Sequence, residues 1–150
     1  MKGIRIIEKE LSCFIEDAIL YKDGTYVKIN GNSTKGFIFE SRKRIENIEE
    51  DEWSELYPSL EDFNDEYKVI AGETSWGGTG FVGLKKIKTD SYKWVLHLST
   101  MNNPKKIKIE NNIVRVTTDL NYPEGVDFII PMENPEKFRT EKPTANKELC

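Results

Sequence analysis

Apolar and polar residues alternate with a period near two along much of this chain, the spacing of strands that bury one face. Ala18-Ile19-Leu20-Tyr21 and Thr25-Tyr26-Val27-Lys28-Ile29 flank the pair Asp23-Gly24, whose tolerance of positive φ predicts a tight hairpin. Gly31 to Thr34 reads as a loop and Gly36-Phe37-Ile38-Phe39-Glu40 as a third strand. Ahead of these, Gly3 to Ile7 is a short apolar run, and Glu8 to Ile15 fits helix and strand equally.

Further on, Lys68 to Gly72 and Phe81 to Ile87 predict two strands joined by Ser75-Trp76-Gly77-Gly78-Thr79-Gly80. Glycine there serves the turn or admits a ligand, so Trp76 is either a lid on the core or the tip of a binding loop. In Tyr92 to Ser99, Tyr92, Trp94, Leu96 and Leu98 share a face that should be core, opposite Lys93, Val95, His97 and Ser99. Lys106 to Ile109 and Ile113 to Thr117 suggest another hairpin through Glu110-Asn111-Asn112, and Val126 to Ile130 a last strand.

The rhythm changes between Ser41 and Tyr67. Ile45, Ile48, Trp53, Leu56 and Tyr57 recur at helical intervals, Pro58 would stop that helix, and Ser59-Leu60-Glu61-Asp62 has the form of a capping box ahead of Phe63 and Tyr67. The expected fold class is therefore α+β, a mainly antiparallel sheet with two short helices inserted near residues 43–67. Residues 1–132 form the expected single domain, within the size of one core, and 133–150, poor in apolar residues and broken by Pro135 and Pro143, a poorly ordered tail.

Charge sharpens the functional question. The net charge is -4, but Glu40 to Glu66 holds eleven acidic and three basic residues, a local balance of -8 that leaves +4 elsewhere. Lys85, Lys86, Lys88, Lys93, Lys105, Lys106 and Lys108 follow the glycine turn, opposed in that interval only by Asp90. No run reaches the about 18 apolar residues of a membrane span, and the start turns charged too early for a signal peptide, so a cytoplasmic protein is expected. Cys13 and Cys150 have no metal-site spacing and suit a reducing compartment.

Candidate chemistry is sparse. His97 would have to serve as base for Cys13, Ser75 or Ser99; Ser99, two residues away on the same strand face, is the geometrically possible partner, a pairing that occurs by chance in many sheets. One histidine and two distant cysteines make no zinc site, and Glu49 to Glu52 lack the layout of a calcium loop, so no metal or cofactor is expected. The glycine stretch lacks the Gly-Lys-Ser/Thr ending and following helix of a phosphate loop. Lys106 and Lys108 with Trp76 and Tyr92 suggest single-stranded nucleic acid on a sheet, against which the acidic balance counts.

What the residues favour is a protein-binding module rather than an enzyme. In size, acidity and organisation the whole chain resembles the immunity proteins of bacterial toxin-immunity systems, such as those of contact-dependent and type VI secretion toxins; the leucine-proline and asparagine-glycine-glycine pattern of the SUKH group is absent. The resemblance implies a stoichiometric inhibitor that occludes a cognate toxin, a basic protein partner. Glu49, Glu50, Asp51, Glu52, Glu61, Asp62 and Asp65 would then steer the partner while Trp53 or Trp76 anchors it. A small enzyme or ligand-binding domain using the Trp76 and His97 region, and the sheet-based nucleic-acid binder, stay open beside it.

Overall fold

The computed structural model describes residues 12–14, 17–32, 35–44, 53–74, 79–101, 103–119 and 125–142. The strands are β1 (Ser12–Phe14), β2 (Ala18–Tyr21), β3 (Thr25–Asn32), β4 (Gly36–Phe39), β5 (Lys43–Arg44), β6 (Trp53–Phe63), β7 (Tyr67–Thr74), β8 (Gly80–Lys86), β9 (Ser91–Leu98), β10 (Lys106–Glu110), β11 (Ile113–Thr118), β12 (Val126–Pro131) and β13 (Arg139–Glu141). They form two antiparallel sheets. The larger runs β1-β6-β7-β8-β9-β2-β3-β4, with β5 continuing along β3, and the smaller runs β10-β11-β12-β13.

The expected local signals hold where they are strongest. Strands β2 and β3 pair across Lys22-Asp23-Gly24, with Gly24 at φ 86° and Asp23 accepting from the Thr25 amide at 2.9 Å. The hydroxyl of Thr25 also donates to that carboxylate, and chiefly for this reason the Asp23 carboxyl lies below its ordinary pKa. Strands β10 and β11 meet with Glu110 opposite Ile113, so the turn is Asn111-Asn112, and Asn111 takes the left-handed conformation at φ 56°.

The α+β expectation is corrected: among the described residues the one helical piece is a 3-10 turn, Pro135–Lys137, and the fold is all-β. Where a helix and a capping box were expected, the eleven-residue strand β6 pairs with β7 from Leu56 to Phe63. The expected helical residues from 45 to 52 lie outside the described residues. A β-bulge at Pro58 to Leu60 explains the helical look, since one extra residue reverses the phase of the alternation. Leu56 therefore packs in one core cluster and Leu60 against the other, and the two sit four apart as they would on a helix. Proline is tolerated at such a bulge, and Gly72 opposite it has no room for a side chain, because a Cβ would lie 2.1 Å from the Tyr57 carbonyl oxygen.

Both faces of the large sheet are buried. One, carrying Val69, Val82, Leu84, Trp94, Leu96 and Leu98, packs on Val114, Val116, Phe128 and Ile130 of the small sheet. The other carries Ala18, Leu20, Leu56, Ile70, Phe81, Tyr92 and Val95. Tyr92 belongs to this second face rather than beside Trp94, because Leu84 pairs with Trp94 and Lys85 with Tyr92, leaving Lys93 as the extra residue of another bulge. The Tyr92 ring covers Gly83, where a Cβ would come within 2.6 Å of it.

Residues 133–142, expected within the tail, join the fold. Phe138 is buried between Phe37 and Phe39 of β4 and Phe128 of β12, with ring centroids 4.7, 5.5 and 6.3 Å away. Strand β13 pairs with β12, and Glu136 accepts from the Tyr21 hydroxyl at 2.6 Å and from Arg42 at 2.9 Å. Residues 143–150 lie outside the described residues. No helix among the described residues is long and apolar enough to cross a membrane.

Candidate protein-binding surface on the sixth strand

The described part of the acidic stretch beyond residue 52 lies on β6 and the turn that follows it, near one edge of the large sheet. Among the described residues strand β1 covers β6 at Trp53 to Glu55, where Phe14 pairs with Trp53, while β7 lines its other side from Leu56 to Phe63. Successive side chains of a strand point to opposite faces, so the acids of β6 are divided between two faces rather than gathered on a helix. Glu61 is exposed and ion-pairs with Lys68 at 3.0 Å. Asp62 points the other way and accepts from the Ile109 amide of β10 at 2.8 Å, which ties the large sheet to the open side of the small one.

Asp65 sits exposed at the β6–β7 turn. That turn is shaped by Asn64, whose side-chain oxygen accepts from the amides of Glu66 and Tyr67 at 2.9 and 2.8 Å. Of the expected contact residues, Trp53 opens β6 and pairs through its backbone, and Glu49, Glu50, Asp51, Glu52 and Trp76 lie outside the described residues.

The alternation of β6 exposes residues that the helical reading had turned inward. Phe63 is 65% exposed and Tyr57 52%, and Ile87, whose amide donates to the Glu66 carbonyl at 3.0 Å, is 45% exposed. The β6–β7 turn and the Ile87–Glu66 backbone bond therefore place Phe63, Asp65, Glu66 and Ile87 at one end of the large sheet, where Lys68, opposite Phe63, and exposed Lys86 and Lys88 also lie. Tyr57 donates to Glu55 at 2.8 Å, a bond that raises its phenol above the ordinary value. A strand reading of 53–63 would have found Phe63 and Tyr57, because each lies out of phase with its buried neighbours.

The other candidate chemistry is placed differently. His97 is fully buried, opposite Ala18 and Phe81, while Ser99 is exposed and donates its amide to Asp17 at 2.7 Å and its hydroxyl at 3.2 Å. Serine and histidine do not form a shared exposed site. Of the lysines after the glycine turn, Lys85 pairs with Asp90 at 3.0 Å, Lys93 with Glu133 at 2.8 Å and Lys105 with Asp119 at 2.7 Å. Tyr92, proposed to stack on bases, is buried. Among the described residues no group of three or more His, Cys, Asp or Glu side chains could hold a metal ion.

Asp62 gives a structural prediction on this strand. Removing the carboxylate in Asp62→Ala leaves an edge amide of β10 without its acceptor, and charged hydrogen bonds of this kind are worth about 1.5 kcal/mol, reduced toward about 1 by partial exposure. Urea unfolding should show that loss, with the hydrogen-exchange protection of Ile109 falling most. An unchanged midpoint would mean that water replaces Asp62 at no cost.

Comparison of the chain with protein-family models, curated proteins and solved structures finds no match.

Proposed function

We propose that this chain is a cytoplasmic protein-binding module of the immunity type, an inhibitor that occludes a basic partner, a cognate toxin, through the acidic region around β6. The observation that carries this reading is the end of the large sheet where exposed Phe63 and Ile87 adjoin exposed Asp65 and Glu66. Interfaces of this kind combine an apolar anchor, which holds, with charges that steer the encounter and set its salt dependence. Glu61 and Glu55 extend the acidic region along β6, and Glu49 to Glu52 precede it directly in the chain.

The test is a pull-down of the tagged protein from its native host, including the product of the neighbouring reading frame, followed by mass spectrometry at low and moderate salt. One stoichiometric basic partner, released as salt rises, is the expected result. Against that partner, Glu50→Lys, Asp51→Lys and Glu52→Lys together should slow association and reduce its salt dependence. Phe63→Ala should speed dissociation, by about tenfold for an anchor worth about 1.4 kcal/mol. A partner whose binding ignores both sets of changes removes this face from the reading. Recovery of nucleic acid, with binding sensitive to Lys106 and Lys108, would replace it with the sheet-based binder.

A further inference from the structure

Strand edges carry unpaired amides and carbonyls, and native proteins blunt them with charge, short strands or covers. Two described edges of the small sheet are managed in this way. On β10 the amide of Ile109 is taken by Asp62, and β13 is three residues long with Arg139 and Glu141 at its ends. Strand β4, the last in the large sheet, is different. Its third residue, Ile38, is 67% exposed, and among the described residues β4 pairs with β3 alone.

The hydrogen-bond pattern says which groups face outward. The Glu40 amide donates to the Lys28 carbonyl at 2.9 Å, so in this antiparallel register Ile38 with Asn30 and Gly36 with Asn32 are also the hydrogen-bonded pairs. Phe37 and Phe39 therefore turn their amides and carbonyls away from β3, toward the open edge. They are two residues apart with Ile38 between them, the spacing that a second, antiparallel strand requires.

We infer that β4 pairs with β4 of a second copy of this chain, antiparallel, about a two-fold axis midway between Ile38 and the partner's Ile38. In that register Phe37 lies opposite the partner's Phe39 and Phe39 opposite the partner's Phe37. Each pair exchanges amide-to-carbonyl hydrogen bonds in both directions, so every outward group of one copy meets its complement on the other. Ile38 faces the partner's Ile38 as a non-hydrogen-bonded pair, the closer of the two antiparallel arrangements, and two exposed apolar side chains cover each other. Charge permits the register as well. Glu40 falls opposite the partner's Gly36 and Ser41 opposite the partner's Lys35, so no like charges face one another. The axis stands perpendicular to the sheet, which continues across the dimer with the same face on the same side.

Sedimentation equilibrium of the full chain tests this. The wild type should show a monomer–dimer equilibrium, and Ile38→Lys, which places two ammonium groups across the axis, should weaken it by about tenfold or more while leaving unchanged the unfolding temperature measured at a concentration where the wild type is monomeric. A second variant reports the register. In a background with Cys13→Ala and Cys150→Ser, Ile38→Cys should cross-link into a disulfide dimer under mild oxidation, because the close antiparallel pair meets disulfide geometry, and Ile87→Cys should not. A wild type that stays monomeric up to about 100 μM overturns the inference, since weaker pairing has little bearing at cellular concentrations. A dimer indifferent to Ile38→Lys, or equal cross-linking of the two cysteine variants, overturns it too.

Discussion

Arg115→Met should cost about 3–5 kcal/mol of stability, because it leaves a buried carboxylate without its cation. Arg115 lies on the outer face of the small sheet and donates to Glu110 at 2.9 Å, Asp127 at 3.1 Å and Glu141 at 2.7 Å. These contacts, the one to Glu141 foremost, push its pKa above the ordinary value, so the guanidinium is charged at every pH at which the protein folds. The three pairs are unequal. The side chains of Glu110 and Glu141 are 32% and 35% exposed, so water can take over for them and each pair is worth at most about 1 kcal/mol. The Asp127 side chain is 1% exposed, and its second oxygen has no hydrogen-bond partner among the described residues. Losing Arg115 strands that charge.

Urea unfolding at constant m-value measures the loss. The double variant Arg115→Met, Asp127→Leu should recover most of it, since a buried ion pair replaced by apolar side chains is often neutral. A single-variant loss below about 1 kcal/mol would mean that water reaches Asp127 readily, and the charge would not organise this face.

Phe138→Ala should cost about 3–5 kcal/mol, the range for truncating a buried aromatic side chain. Its ring is the contact through which the segment after β12 seals the end of the core between β4 and β12, and the residue is 6% exposed. The neighbouring bond from the Trp94 indole to the Met132 carbonyl, at 2.9 Å, holds the same segment against β9. If residues 133–142 were a frayed tail, the substitution would cost less than about 0.5 kcal/mol, as surface changes do. Hydrogen exchange adds a spatial readout: protection at β13 should fall before that of β8 and β9.

These two predictions fall where sequence reading was weakest. Residues 133–142 look like a tail because apolar residues are few there, yet a single Phe138 suffices once three other aromatic rings converge on it from β4 and β12. Nothing near Phe138 in the chain signals that convergence. Arg115 likewise reads as an ordinary polar position of an alternating strand, and its weight comes from Asp127 on the adjacent strand and Glu141 on the one beyond. The candidate surface was legible as composition, in the run of acids from Glu40 to Glu66, but its geometry was not. An acidic helix face and an acidic strand share one composition and expose different aromatic residues.

The sequence by itself determined the hairpins whose information is local: Asp23-Gly24 between β2 and β3, the hairpin through Glu110-Asn111-Asn112, whose two-residue turn the pairing decided, and the strands on either side of the glycine-rich turn. Turn residues and two-residue alternation are properties of neighbours in the chain, so they can be read there. Tertiary structure decided what depends on distant partners. Pairing with β7 made β6 a strand against its helical spacing, and bulges at Pro58 and Lys93 reversed which side chains face which core. Packing buried both faces of the large sheet and drew Phe138 into the fold. A bulge adds one residue and a docked ring adds one contact; neither alters the local pattern enough to be seen, and each redirects every side chain beyond it or closes the core at one end.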